Sequence, residues 1–200
     1  MTTATRSLGL AGFLAAALVS MVSPTESNDG TIAVGRHTVY GADQSAIPKI
    51  EHADALFASA ALRLPDLEIH VRPNFAACDG LGGQFRVADS GPRVELCSGL
   101  QFTVLHEFAH AWAHYNLSDE TRQAFVELHG LPSWNDPDTP WARRGTEVAA
   151  ETIANALLDR PLPDWQQEAA AQLDAGYRLL TGTTSPRFAA AIRSARNRDA

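Results

Sequence analysis

The order of apolar and polar positions divides the chain into a strand-rich first part and a helical second part. Thr31 to Tyr40 carries Ile32, Val34 and Val39 and reads as a strand. From Pro48 to Leu64, Ile50, Ala53, Leu56, Phe57, Ala60 and Ala61 recur at helical spacing. Pro48 suits the first turn of that helix, and Pro65-Asp66 ends it. Leu67, Ile69 and Val71 then alternate with Glu68, His70 and Arg72, the pattern of a strand with one buried face. After a glycine turn at Asp79 to Gly83, Gln84 to Ala88 and Arg93 to Cys97 read as two more strands around the tight turn Asp89-Ser90-Gly91-Pro92. The last three strands are expected to form a meander. Helices are expected over Ser118 to His129, closed by Gly130, from a Thr146 cap through Asp159, from an Asp164 cap to Leu180, and from Pro186 onward. Leu131 to Gly145, between two of them, is rich in Pro and Trp.

The strongest pattern is Thr103 to Tyr115. Wound at about 100° per residue, Thr103, His106, Glu107, His110 and His114 fall on one arc, and Val104, Leu105, Phe108, Ala111, Trp112 and Tyr115 on the other. The polar arc should face a cleft and the apolar arc a core. Ser98 is expected to cap this helix. The polar arc contains His106-Glu107-Phe108-Ala109-His110, a His-Glu-x-x-His pattern. Residues four apart share a helix face, so two neutral imidazoles can turn to one metal ion, with Glu107 beside them to hold a water. Imidazole ligands suit zinc, which in catalytic sites takes three protein donors and keeps one position open.

The third donor is open among several residues. Glu147 and Glu151 lie one turn apart on a helix with apolar neighbours Val148, Ala149, Ala150, Ile153 and Ala154. Two carboxylates on a well-buried helix need a partner. One can bind the metal while the other accepts the free ring N–H of a ligand histidine. His114 stands two turns from His106, about 12 Å along the axis, too far for one ion on an unbroken helix. Cys97 precedes His106 by nine residues, a spacing unlike that of peptide deformylases, which pair a Cys with this helix. His129 has no spacing argument behind it.

With 200 residues, 45% hydrophobic and 20% charged, the chain is one ordinary domain with room for two lobes. The formal net charge of −7, without a basic stripe, speaks against nucleic acid and anionic membranes as partners. Arg193, Arg196 and Arg198 cluster near the C-terminus, where they read as a solvated tail that complements the helix dipole. Residues 1–24 read as a signal peptide, with Arg6 ahead of an apolar run from Leu8 to Val22; an uncleaved N-terminal anchor is the alternative. Residues 25–44 read as a flexible or strand-like segment and 45–200 as the functional domain. For an exported chain with two cysteines, Cys78 and Cys97 most simply form a disulfide.

These residues resemble the zincin metallopeptidases, in particular the gluzincin branch. The resemblance rests on His106-Glu107-x-x-His110 and on Glu147 with Glu151 four residues on, and spans residues 45–160. It implies an α+β fold. An upper lobe would hold a small, mostly antiparallel sheet plus helices, a lower lobe would be helical, and a cleft would lie between them. It also implies that His106, His110 and Glu147 bind Zn2+, that Glu107 is the general base, and that Glu151 orients a histidine or replaces Glu147 as ligand. The chain departs from the pattern in the 36 residues between His110 and Glu147 and in Thr146, where Asn often precedes the ligand glutamate. The implied activity is zinc-dependent hydrolysis of a peptide or protein substrate by a secreted enzyme. Tyr115, His129, Arg143, Arg144 and Tyr177 are candidates for the oxyanion donor, and Gln84 to Ala88 for an edge strand that pairs with substrate. The alternatives are an inactive peptidase-like domain that binds an extracellular partner, and a structural zinc protein.

Overall fold

The computed structural model of the chain describes residues 31–41, 45–158 and 167–189. The expected signal segment and the three C-terminal arginines lie outside these residues. The described chain is α+β, with a five-stranded mixed sheet.

The single strand expected over Thr31 to Tyr40 is a hairpin of β1 (Thr31–Val34) and β2 (His37–Tyr40). Gly35 takes a φ of 58° between them, the left-handed conformation that glycine adopts without strain. Helix α1 (Ile47–Ser59) stops short of the expected Leu64. Ala61 turns left-handed, and the Leu62 N–H reaches back to Phe57 O at 2.9 Å, closing the helix end. Strand β3 (Glu68–Val71) follows. A short 3₁₀ turn over Phe75–Cys78 then leads to β4 (Gly83–Ala88) and β5 (Gly91–Leu96).

The sheet order is β1-β2-β3-β5-β4. β1–β2 and β4–β5 are antiparallel, whereas β2–β3 and β3–β5 are parallel. The sheet is therefore mixed rather than mostly antiparallel, and its last three strands are not a meander. The segment from Arg72 to Gly82 carries the chain past the position beside β3, and the β4–β5 hairpin folds β5 back into it. β4 is left at the edge. Cys78 and Cys97 stand at disulfide distance, with Cα atoms 6.1 Å apart, and tie the 3₁₀ turn to the end of β5.

Val39, Ile69 and Val94 align across the three inner strands and are fully buried. They join Ile50 and Phe57 of α1 and Leu105 and Phe108 of α2 (Gln101–Asn116) in one core. No side chain caps α2: Ser98 instead accepts the Leu100 N–H and lies 3.4 Å from the Thr103 hydroxyl. Helix α3 (Asp119–His129) has the expected ends, with Ser118 accepting the Thr121 N–H and Gly130 left-handed after its last turn. Helix α4 (Gly145–Leu157) packs along α2. Thr146 lies inside α4 rather than capping it, because the carbonyls of Ser133 and Trp134 take the first N–H groups at Gly145 and Thr146. Helix α5 (Gln167–Thr181) packs against α3 and α4. Residues 186–189 begin the last expected helix. None of the described helices is long and apolar enough to cross a membrane.

Candidate metal centre

Helix α2 orients its polar arc as its periodicity implies. Thr103, His106, Glu107, His110 and His114 all line one cleft of about 680 Å³. On the opposite arc Val104, Leu105, Phe108, Ala111 and Trp112 are buried, while Tyr115 is exposed against the ring of His114. Edge strand β4 borders the cleft on one side, and Trp134, Trp141 and the start of α4 on the other.

Glu147, in the first turn of α4, meets both histidines. Its Oε2 lies 3.3 Å from His106 Nε2 and 3.2 Å from His110 Nε2, and the two ring nitrogens are 3.0 Å apart. Four donors held tetrahedrally at zinc distances stand about 3.3 Å from one another, so the triangle has the right size for three of them. Its chemistry fits as well. Two neutral imidazoles and a carboxylate aim lone pairs at one point, and such a set needs a cation or shared protons between its members. His106, His110 and Glu147 are thus a group that can hold a metal ion. Burial works against the Glu147 anion, but its close contacts with the two histidine rings outweigh it and hold the carboxyl down at about 2.

Glu107 faces the cleft from the neighbouring position on α2. It is only 4% exposed. Burial is the main reason its carboxyl is pushed up to about 7, with the charge of Glu147 adding to it; the His106 ring and the Phe85 backbone N–H act in the opposite direction. That N–H belongs to β4, so the edge strand and the acid touch. Gly83 makes the approach possible: a Cβ there would stand 2.7 Å from Glu107 Cγ and 2.8 Å from its Oε1.

No family model, curated protein or solved structure matches this chain.

Glu151 is exposed at the margin of the same cleft, and its carboxylate makes no hydrogen bond to either imidazole. His106 Nδ1 is buried without a hydrogen-bond partner. None of the five side chains named for the oxyanion lines the cleft. Tyr177 is buried in the core. His129 packs against Phe125 and Gly176. Arg144 is pinned to the carbonyls of Thr139 and Pro137, and Arg143 and Tyr115 are exposed away from the cleft. The polar groups that do reach it beyond the metal site include Gln84, Arg86, His114, Arg122 and Asn135. Arg122 and Asn135 carry no signal in the sequence. They come from α3 and from the Pro- and Trp-rich loop, whose only mark was its composition.

Gly145 shows how that loop is positioned. A Cβ there would lie 2.7 Å from the Trp134 ring, so a glycine lets Trp134 sit directly on the start of α4. The Trp134 ring also stacks under the Arg122 guanidinium at 5.8 Å and edge-on to Phe125. The loop thereby fixes the turn of α4 that carries Glu147.

Proposed function

We propose that the chain is an exported zinc-dependent peptidase of the zincin type, with His106, His110 and Glu147 as zinc ligands and Glu107 as the general base. One observation carries this reading: a buried carboxyl, that of Glu107, stands next to a His-His-Glu donor triangle on the wall of an open cleft. A structural metal site needs no such acid and is normally closed by a fourth protein donor. A binding surface needs no base either.

Bound zinc would polarise a substrate carbonyl and make a water acidic enough to lose its proton near neutrality. Glu107 stands beside that position: its carboxylate takes the proton from the attacking water and returns it to the leaving amine. Burial keeps bulk water from competing for that proton. Edge strand β4, which already touches Glu107 through the Phe85 N–H, offers backbone groups along which an extended peptide can lie. Export is supported by the apolar run from Leu8 to Val22 and by the cysteine pair at disulfide distance.

The test pairs the full chain with Glu107→Gln. Zinc content is measured by elemental analysis and hydrolysis with a quenched-fluorescence peptide library. The expected result is equal zinc in both proteins and cleavage by wild type alone. Zinc in both with cleavage by neither overturns the reading.

A further inference from the structure

Three apolar side chains from separate elements converge at one end of the cleft. Phe102 stands one turn before His106 on α2, and their ring centroids are 6.0 Å apart. Trp141 comes from the loop before α4 and sets its ring 6.4 Å from that of His106. Leu81 comes from the glycine turn ahead of β4, where Gly82 packs against Thr103 near the same end of α2. All three line the cleft. Gly80, Gly82 and Gly83 surround Leu81, so its neighbours add no side chain of their own to that end.

A single exposed apolar residue is ordinary on a protein surface. Here Trp141 is 49% exposed and Leu81 41% exposed, and both sit on a concave wall next to a metal donor. Both are also held by their backbones. The Trp141 carbonyl accepts the Arg144 N–H at 3.0 Å, and the Arg144 side chain donates to the carbonyls of Thr139 and Pro137, each at 3.0 Å. The Leu81 N–H donates to Cys78 O at 2.9 Å, beside the cysteine pair that ties this turn to the end of β5. Apolar surface that is fixed in place and open to water loses little freedom when a ligand covers it, and its burial then favours binding. The Phe102 and Trp141 rings both lie within 6.4 Å of the His106 ring. An extended peptide advances about 3.3 Å per residue, so a side chain packed on those rings belongs to a residue within about two positions of the attacked bond.

Resting on the peptidase reading above, we infer that the cleft selects peptides with a large apolar or aromatic side chain close to the scissile bond, on the side that lies towards the N-terminal end of α2. That side chain packs against Leu81, Phe102 and Trp141.

The test uses peptides that differ only in Phe, Leu, Ala or Glu at each position around a central bond. Their binding to full-length Glu107→Gln is followed by fluorescence anisotropy and their hydrolysis by wild type in parallel. At one position near the bond, Phe and Leu should be favoured over Ala and Glu by about tenfold or more in both readouts. Trp141→Ala and Leu81→Ala, both changes at exposed positions, should each lower the ratio of Phe to Ala by about threefold or more, and Trp141→Phe should retain it. Circular dichroism confirms that the variants are folded. The absence of any preference for large apolar side chains, or a preference that survives both Trp141→Ala and Leu81→Ala in folded protein, overturns the inference. The expected preference in binding with no hydrolysis of any peptide leaves the subsite standing and removes the peptidase. Hydrolysis without that preference does the reverse.

Discussion

Replacing Gly83 with alanine should disable the base while leaving the metal donors untouched. The added methyl would lie 2.7 Å from Glu107 Cγ and 2.8 Å from Oε1. Carbon atoms in good contact stand about 3.5 Å apart, so one partner must retreat by about 0.8 Å. The backbone at Gly83 is not left-handed, and the conflict is therefore one of space alone. Strand β4 has little freedom to give way: it pairs with β5 over its whole length, and the Cys97 N–H holds Gly82 O at 2.8 Å beside the disulfide. Glu107 is the more mobile partner, and its carboxylate swings off the line to the attacked carbonyl. A misplacement approaching 1 Å costs up to about a hundredfold in rate. The expected kcat of Gly83→Ala is therefore lower by one to two orders of magnitude, with KM nearly unchanged and zinc content at the wild-type level. Stopped-flow cleavage of the best library peptide, together with elemental analysis, reads all three. Kinetics within about twofold of wild type would refute the reasoning, because they would mean that the contact between β4 and Glu107 positions nothing.

Glu147→Ala should weaken zinc binding by more than about a hundredfold in competition with a chromophoric chelator. Glu151→Gln should stay within a few-fold of wild type, since its carboxylate does not reach a ligand ring. Cys78→Ser with Cys97→Ser opens a loop of about 20 residues and should lower stability by about 3 kcal/mol, a fall of about 10 °C in Tm by calorimetry. His37 accepts the Leu67 N–H at Nδ1 and faces Asp54 at Nε2, so the folded site holds a neutral ring. Burial lowers the proton affinity of His37 despite Asp54, and Arg36 adds to the lowering while Asp66 opposes it weakly. The unfolded chain takes up that proton near pH 6.5 and the folded chain resists it. Stability is therefore full above about pH 6.5 and declines as pH falls below it. His37→Gln should flatten that decline in urea titrations, with the remainder coming from His70 and His129, whose affinities burial also lowers.

What periodicity alone decides was readable. The polar arc of α2 became the cleft wall and its apolar arc, Tyr115 apart, the core, because helix geometry places both once the helix forms. Both ends of α3 were equally clear, since a Ser cap and a left-handed Gly act within one turn of chain. Strand order was not readable. Alternation in Leu67 to Arg72 tells which face of β3 is buried, but it is silent on whether β4 or β5 lies alongside. The answer depends on how the Arg72 to Gly82 segment travels, and its 3₁₀ turn at Phe75–Cys78 has no periodic signature. The β1–β2 hairpin was hidden for a different reason. Its turn is a single Gly35-Arg36 pair inside a run whose apolar residues read equally well as one strand.

The arrival of Glu147 at the histidines is the step that joins these levels. Its distance in sequence proves immaterial, because α3 and the Trp134 loop take up the intervening residues and return α4 alongside α2. Both helices are rich in buried alanines: Ala109, Ala111 and Ala113 on α2, and Ala149, Ala150, Ala154 and Ala156 on α4. Side chains this small allow the axes to approach closely. A glutamate in the first turn of α4 can then span the gap, and the positive end of the helix dipole favours its negative charge. Glu151, one turn further along the axis, lies past the ring nitrogens and opens into the cleft instead. The choice between the two acids therefore rests on where α4 begins. That is set by the Ser133 and Trp134 carbonyls and by the close seat that Gly145 allows Trp134, contacts between loop and helix that no local pattern announces.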